Sequence, residues 1–129
     1  MGHGDDLIIA DTNFPSDSVA KKTVYGRLLR IDASAAEVVE AVLSLMHIDT
    51  FVDDAAARME VVGEPTTILP VMDEVQAKVS AEEGPNPMMS IERFAFYERA
   101  KNAYAVIQTG ERRFYGCFAF RKGVIGPDG

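Results

Sequence analysis

The chain has 129 residues, 47% of them hydrophobic and 26% charged, and these proportions are typical of one globular domain rather than of a disordered chain. Its net charge of -7 disfavours nucleic acid as a partner, because phosphate binding needs an excess of lysine and arginine. It contains no apolar stretch near the roughly 20 residues of a membrane span and no signal-peptide pattern, and its single cysteine, Cys117, predicts a protein of the reducing cytoplasm.

Hydrophobic patterning predicts two strands in the first quarter of the chain. Residues 7–10 (LIIA) form a short apolar run between aspartates, which is typical of a buried strand. Residues 13–22 contain a proline and two serines, so we expect a loop there. Residues 24–31 (VYGRLLRI) predict a second strand that carries a glycine.

The segment 34–46 predicts the first helix. Ser34 and Glu37 have the spacing of a capping box, in which each side chain bonds the backbone of the other residue. One face of this helix is expected to carry the apolar residues Val38, Val39, Val42, Leu45 and Met46.

The second half of the chain continues the alternation of strands and helices. Residues 59–62 predict a strand, 63–67 a turn, and 69–83 a helix that the GPNP segment ends. Residues 92–103 predict another helix, and two strands follow at 104–109 and 117–122, around a turn at 110–114. This alternation predicts an α/β layer architecture.

Several reactive side chains lie near the ends of these elements: His3, Asp11, Asp49, Arg93, Tyr97, Glu98 and Tyr115. Because ligands of open α/β sheets bind where strands end, this placement favours a polar pocket. A purely structural interpretation is also open for each of them. Arg93 and Glu98 fit a solvent-exposed helix face, and the tyrosines fit core aromatics whose hydroxyl reaches solvent. Asp11 fits the cap of a turn, and His3 fits a disordered terminus.

Cofactor and metal chemistry find little support in the residue pattern. Gly2 and Gly4 lack the preceding strand and the spacing of a phosphate-binding loop. No Cys or His pair has metal-ligand spacing, and His3 and His47 lie far apart in sequence. Cys117 on a predicted strand is more typical of packing than of a nucleophile. We therefore expect no metal and no cofactor.

Longer strings carry a resemblance to a known family. MGHGDDLIIADTNFP (1–15), IDTFVDDAAARMEVV (48–62), IERFAFYERAKNAYAVIQTGE (91–111) and FYG (114–116) occur in the order found in the ribose pyranase / fucose mutarotase family, which the chain resembles over nearly its whole length. The resemblance implies a single sugar mutarotase domain over residues 1–125, followed by a flexible tail at 126–129.

The resemblance also implies a fold and an activity. The expected fold is a three-layer α/β/α sandwich around a mostly parallel sheet. The expected activity is the interconversion of sugar anomers or ring forms without a cofactor, in a homo-oligomer, such as a decameric ring, with sites at subunit junctions. Family members usually begin with about twenty further residues that form a helix, and we expect the lack of this helix before Met1 to loosen His3 or to weaken assembly.

Residue by residue, the resemblance implies that His3 is the proton donor of the reaction. The implied sugar-binding positions are Asp11, Asp49, Met59, Arg93, Tyr97, Tyr115, Gly116 and Cys117. Arg93 and the string around it favour L-fucose over D-ribose, since the ribose branch has histidine at that position. Cys117 replaces the asparagine of the family, and a thiol is a weaker donor than an amide. The alternatives are a D-ribose pyranase-type ring-form isomerase and a non-catalytic sugar-binding module.

Overall fold

A computed structural model describes residues 1–50, 52–124 and 127 of the chain. These residues form one six-stranded sheet with helices between the strands. The elements in chain order are β1 (Asp6–Ala10), α1 (Ser16–Ala20), β2 (Leu28–Ile31), α2 (Ala35–Leu43), β3 (Ala56–Met59), α3 (Pro70–Glu83), β4 (Met89–Ile91), α4 (Arg93–Lys101), β5 (Ala105–Thr109) and β6 (Phe118–Arg121).

The sheet has the strand order β2-β5-β1-β6-β3-β4. Strand β6 is antiparallel to both of its neighbours, β1 and β3, whereas the pairs β2·β5, β1·β5 and β3·β4 are parallel. Five strands therefore run in one direction and β6 runs against them, which confirms the predicted mostly parallel sheet. As a result, the start of β6 lies at the sheet edge where β1, β3 and β4 end.

Two apolar cores cover the two faces of this sheet. Successive side chains of a strand point to opposite faces, and in β1 Leu7 and Ile9 join the core under α2 and α3, while Ile8 and Ala10 join the core under α1 and α4. All four side chains are at least 90% buried. The predicted three-layer α/β/α arrangement is confirmed.

Helix α2 begins where the capping box predicted. The Ser34 side chain accepts the Glu37 N–H, and the Glu37 carboxylate accepts the Ser34 N–H in return. The predicted apolar face was wrong at Leu45, which is 89% exposed. The helix ends at Leu43 with Ser44 as its C-cap, so helical periodicity no longer determines where Leu45 points.

The segment 13–22, predicted as a loop, contains the short helix α1. Pro15 precedes the helix, and its fixed φ angle is compatible with a helix start. Val19 and Ala20 are buried in the core on this face. A helix of five residues is too short to leave a periodic signal, which explains why it was missed.

Two predicted strands differ clearly from the structure in their bounds, and one strand was not predicted. Strand β2 begins at Leu28 rather than at residue 24, because Gly26 adopts a positive φ of 75° and turns the chain. Strand β3 ends at Met59 rather than beginning there, since its register is set by pairing with β6. Strand β4, which has only three residues, was not predicted.

The remaining expectations concern the chain end and the membrane. The predicted flexible tail at 126–129 lies outside the described residues, apart from Pro127. Among the residues that the structure describes, no helix has the length and apolar character needed to span a membrane.

Candidate active site

A pocket of about 310 Å³ opens at the sheet edge where β1, β3 and β4 end and β6 begins. Four separate segments line it with the side chains of Asp11, Asn13, Phe14, Met59, Arg93, Tyr97, Phe114, Tyr115 and Cys117. Asp11 directly follows β1, Met59 is the last residue of β3, and Arg93 is the first residue of α4. The structure thus brings together six of the sugar-binding residues that the sequence predicted.

Asp11 is 3% exposed, and backbone N–H groups surround its carboxylate. Its Oδ1 accepts hydrogen bonds from the N–H groups of Asn13 and Phe14, both at 2.9 Å. Its Oδ2 accepts the N–H of Gly116 at 3.1 Å. The turn-capping role considered for Asp11 is therefore real, and the same carboxylate also lines the pocket.

Tyr115 adopts a left-handed backbone conformation with φ 63°. Bulky residues rarely occupy this region, so the surrounding structure must hold it there. The Tyr115 hydroxyl oxygen accepts the N–H of Val62 at 3.3 Å. Because that contact uses the oxygen as an acceptor, the hydroxyl proton remains able to donate to a ligand.

The first five residues of α4 supply a cation and an aromatic hydroxyl on one helix face. Arg93 and Tyr97 are four residues apart, which makes them neighbours on that face. The Arg93 guanidinium lies 4.7 Å from the centre of the Phe94 ring. Its buried Nε has no hydrogen-bond partner among the described residues. Tyr97 packs edge-on against Phe14 at 5.5 Å between ring centres, so an aromatic wall supports it.

Cys117 is 2% exposed at the floor of the pocket. Burial raises the pKa of the Cys117 thiol well above its usual value, and the neighbouring Asp11 carboxylate raises it further. The sulfur is therefore a protonated thiol at neutral pH, a weak donor rather than a nucleophile.

His3 and Asp49 lie elsewhere. The His3 Nε2 is 3.2 Å from the Asp49 Oδ2, and the Asp49 N–H donates to the Arg121 carbonyl at the far end of β6. His3 precedes β1 and Asp11 follows it, so the five residues of this strand, about 17 Å, separate them. Within one chain, the structure does not bring His3 and Asp49 to the pocket.

Asp49, but not His3, lines a second pocket of about 460 Å³, whose polar lining also includes Asp53 and Glu83. Within residues 1–50, 52–124 and 127, no group of three or more His, Cys, Asp or Glu side chains is arranged to hold a metal ion. The other histidine, His47, pairs with Glu83 at 3.3 Å.

Three residues of the first pocket were missed as site residues. Asn13 and Phe14 follow Asp11 by two and three residues, and Phe114 precedes Tyr115. An asparagine and two phenylalanines do not by themselves indicate a catalytic or binding role. Only their closeness in sequence to predicted site residues could have identified them.

Comparison with known proteins places this geometry in context. The model of the RbsD / FucU transport protein family matches residues 1–125. The fucose mutarotase of Danio rerio is 41% identical over 99% of this chain and 84% of its own length.

Two solved structures extend the comparison. The crystal structure of Atu2016, a candidate sugar-binding protein, has a TM-score of 0.95 and 57% identity over 98% of this chain and 85% of that chain. The fucose mutarotase from Streptococcus pneumoniae, solved in complex with L-fucose, has a TM-score of 0.85 and 34% identity over 98% of this chain and 87% of that chain.

Proposed function

Because the chain belongs to the RbsD / FucU transport protein family, we propose that it is a mutarotase that interconverts the α and β anomers of L-fucose. Relatives named fucose mutarotase, one of them solved in complex with L-fucose, support the substrate. The observation that carries the proposal is the meeting of Asp11, Arg93, Tyr97 and Tyr115, from three separate segments, in one pocket.

The pocket has the chemistry that a 6-deoxy sugar requires. Arg93 and the tyrosine hydroxyls donate hydrogen bonds to sugar hydroxyls, and a charged donor strengthens such bonds. Phe14 and Met59 offer an apolar surface to the methyl group and the apolar face of the sugar. Gly116, the Cys117 thiol and the Asp11 carboxylate complete the proposed binding set.

The reaction needs proton transfer and nothing else. A base removes the proton of the anomeric hydroxyl while an acid protonates the ring oxygen, so the bond from C1 to the ring oxygen breaks and a carbonyl forms at C1. The carbonyl turns its other face to the hydroxyl and the ring closes in reverse. No electrons or groups leave the sugar, so no cofactor is required. Positioned acid–base catalysis accelerates such steps by about 10²- to 10⁴-fold.

His3 is the proposed proton donor, since imidazole groups exchange protons near neutral pH. The Asp49 carboxylate, 3.2 Å from the His3 Nε2, orients the imidazole ring. Because β1 separates this pair from the pocket of its own chain, we propose that His3 and Asp49 of one copy complete the pocket of a second copy. The expected assembly is a homo-oligomer, such as a decameric ring, with sites at its junctions. Phe94 and Phe114, 61% and 71% exposed beside the pocket, offer an apolar rim to that second copy.

The proposal also covers the extent of the domain and the cellular compartment. Residues 1–125 form a single mutarotase domain, in keeping with the span of the family match. The protein works in the cytoplasm, where a free thiol such as that of Cys117 stays reduced.

Anomer exchange measured by NMR tests this function. Wild-type chain is expected to accelerate exchange of L-fucose more than of D-ribose, and His3→Ala is expected to abolish the acceleration. His47→Ala is the matched control, because it removes the only other histidine and leaves the His3–Asp49 pair intact. A preference for D-ribose would identify a ribose pyranase-type isomerase. Sugar-dependent shifts in the protein spectrum without faster exchange would identify a binding module.

A further inference from the structure

Glu111 carries a buried carboxylate that lies behind the pocket. The proposed reaction does not use this carboxylate. Glu111 is 5% exposed, belongs to the segment 110–117 that leads into β6, and directs its carboxylate to the start of α2. Its Oε1 accepts the Ala35 N–H at 3.3 Å and the Arg113 Nη2 at 3.0 Å. Its Oε2 accepts the Arg113 N–H at 3.2 Å and Nε at 2.8 Å. A buried charge needs such partners, and here every partner is a donor.

The backbone of Glu111 reaches the other side of the pocket. Its carbonyl accepts the Thr12 N–H at 2.9 Å, directly after Asp11. Its N–H donates to the Thr109 hydroxyl at 3.1 Å, which in turn donates to the Ala10 carbonyl at 2.9 Å. Glu111 therefore connects the segment 110–117 to the end of β1.

The side chain of Glu111 also contacts the later part of the segment 110–117, which we call the pocket loop. A Cβ atom placed on Gly116 would lie 2.9 Å from the Glu111 Cγ and 3.3 Å from the Asp11 Cβ. Gly116 is thus held between the two acidic residues, and its N–H reaches Asp11 at 3.1 Å. Tyr115, in its left-handed conformation, is the preceding residue.

An outer ion pair holds the partner of Glu111 in place. Arg113 extends two further hydrogen bonds, at 2.6 and 2.9 Å, to the Glu74 carboxylate on α3. The side chains of Glu74, Arg113 and Glu111 together connect α3, the pocket loop and the start of α2. Arg113 contributes a planar, five-donor fork that a lysine cannot reproduce.

We propose that Glu111 is a positioning residue for the sugar pocket: its carboxylate sets the conformation of the segment 110–117, so that Tyr115 and Gly116 face the ligand. This inference rests on the proposed function. Glu111 acts through these neighbours rather than on the sugar, since it is not among the residues that line the pocket.

Glu111→Gln is the direct test, because it preserves shape but turns one acceptor into a donor that faces donors. Ser34→Ala is the matched control. It loosens the start of α2 by removing the N-cap bond to the Glu37 N–H at 3.2 Å, and within the described residues the hydrogen bonds of the Ser34 side chain go to Glu37 rather than to Glu111. Both variants are compared with wild type in Gly116 amide hydrogen exchange without sugar, and in the kcat and KM of L-fucose anomer exchange.

Loss of a charge-assisted hydrogen bond is expected to raise KM about tenfold in Glu111→Gln and to lower the protection of the Gly116 amide by a similar factor. Ser34→Ala is expected to lower the melting temperature without changing either value. Equal effects of the two variants would overturn the proposal, since Glu111 would then serve only helix stability.

Should Glu111→Gln not fold, Arg113→Lys takes its place, and unchanged KM and Gly116 protection in that variant would overturn the proposal. The sugar-free exchange measurement separates this inference from the proposed function. If wild-type chain does not accelerate anomer exchange, the function fails, while a Gly116 amide that loses protection in Glu111→Gln alone still supports the positioning role.

Discussion

The N–H of Gly116 donates a 3.1 Å hydrogen bond to Oδ2 of Asp11, although the two residues are 105 positions apart in the chain. This bond connects the loop before β6 to the turn after β1. It fixes the distance between two walls of the pocket, so the pocket depends on a glycine that bears no functional side chain.

Gly116→Ala is expected to damage both stability and sugar binding. The added methyl group would lie 2.9 Å from the Glu111 Cγ, and overpacking of this kind costs about 1–3 kcal/mol. Thermal unfolding and the KM for L-fucose would measure the two effects. Gly2→Ala is the control for stability, because its nearest contact would be the Asp5 side chain at 3.9 Å. A Gly116→Ala protein that matched wild type in both measurements would show that the loop moves freely.

Two inactive variants are expected to restore activity when they are combined. His3→Ala lacks the proposed proton donor, and Arg93→Ala lacks a binding residue of the pocket. If each site takes His3 from one copy and Arg93 from another, co-expression with random mixing restores about a quarter of the wild-type sites. Anomer exchange of the mixture, against each variant alone, measures this. Sites contained within single chains would give no recovery at any mixing ratio.

The free energy of unfolding is expected to fall in acid partly through Glu111. Hydrogen bonds from Arg113 lower the pKa of Glu111 from 4.5 to about 2. Because the pKa is lower in the folded state, this stabilisation is fully present above pH 4.5 and is lost as the pH falls towards 2. A shift of this size corresponds to about 3 kcal/mol.

Urea unfolding of wild type and Glu111→Gln between pH 2 and pH 6 tests that prediction. The difference in the free energy of unfolding between the two proteins should shrink as the pH falls. Glu98→Gln, which removes only an exposed contact to Lys101, should leave the difference from wild type small at every pH. A Glu111 effect that did not vary with pH would contradict the assigned cause.

The Cys117 thiol is expected to resist alkylation in the folded protein. It is 2% exposed, burial raises its pKa, and only the thiolate is a good nucleophile. Reaction with iodoacetamide at pH 8 should be at least about 100-fold slower than in urea-unfolded chain. L-Fucose should slow it further, since the sulfur lines the pocket. Equally fast reaction of folded and unfolded chain would mean that the pocket floor opens readily.

Much of the fold could be predicted from local patterns. The capping box of Ser34 and Glu37 is a short-range signal, and the apolar runs of β1 and β5 are continuous, so these elements were found close to their true bounds. The bounds of β3 depend instead on pairing with β6, sixty residues away in sequence, and local patterns carry no such information. The same limit applies to β4, whose three residues are a strand only because they pair with β3.

The candidate site shows a similar division. The resemblance identified Asp11, Arg93 and Tyr115 by their motifs, and they meet in one pocket. The sequence predicted no role for Glu111, because a glutamate beside two arginines is typical of a solvent-exposed turn. Its 5% exposure results from the packing of α2 against the loop, which no short-range pattern describes.

The length of β1 has a further consequence for how this protein would behave in solution. If the His3–Asp49 pair of one copy serves the pocket of another, catalysis requires contact between copies, and an isolated chain is inactive even when it is fully folded. Specific activity should then fall on dilution, with a midpoint at the dissociation constant of the assembly, while the circular dichroism spectrum stays unchanged.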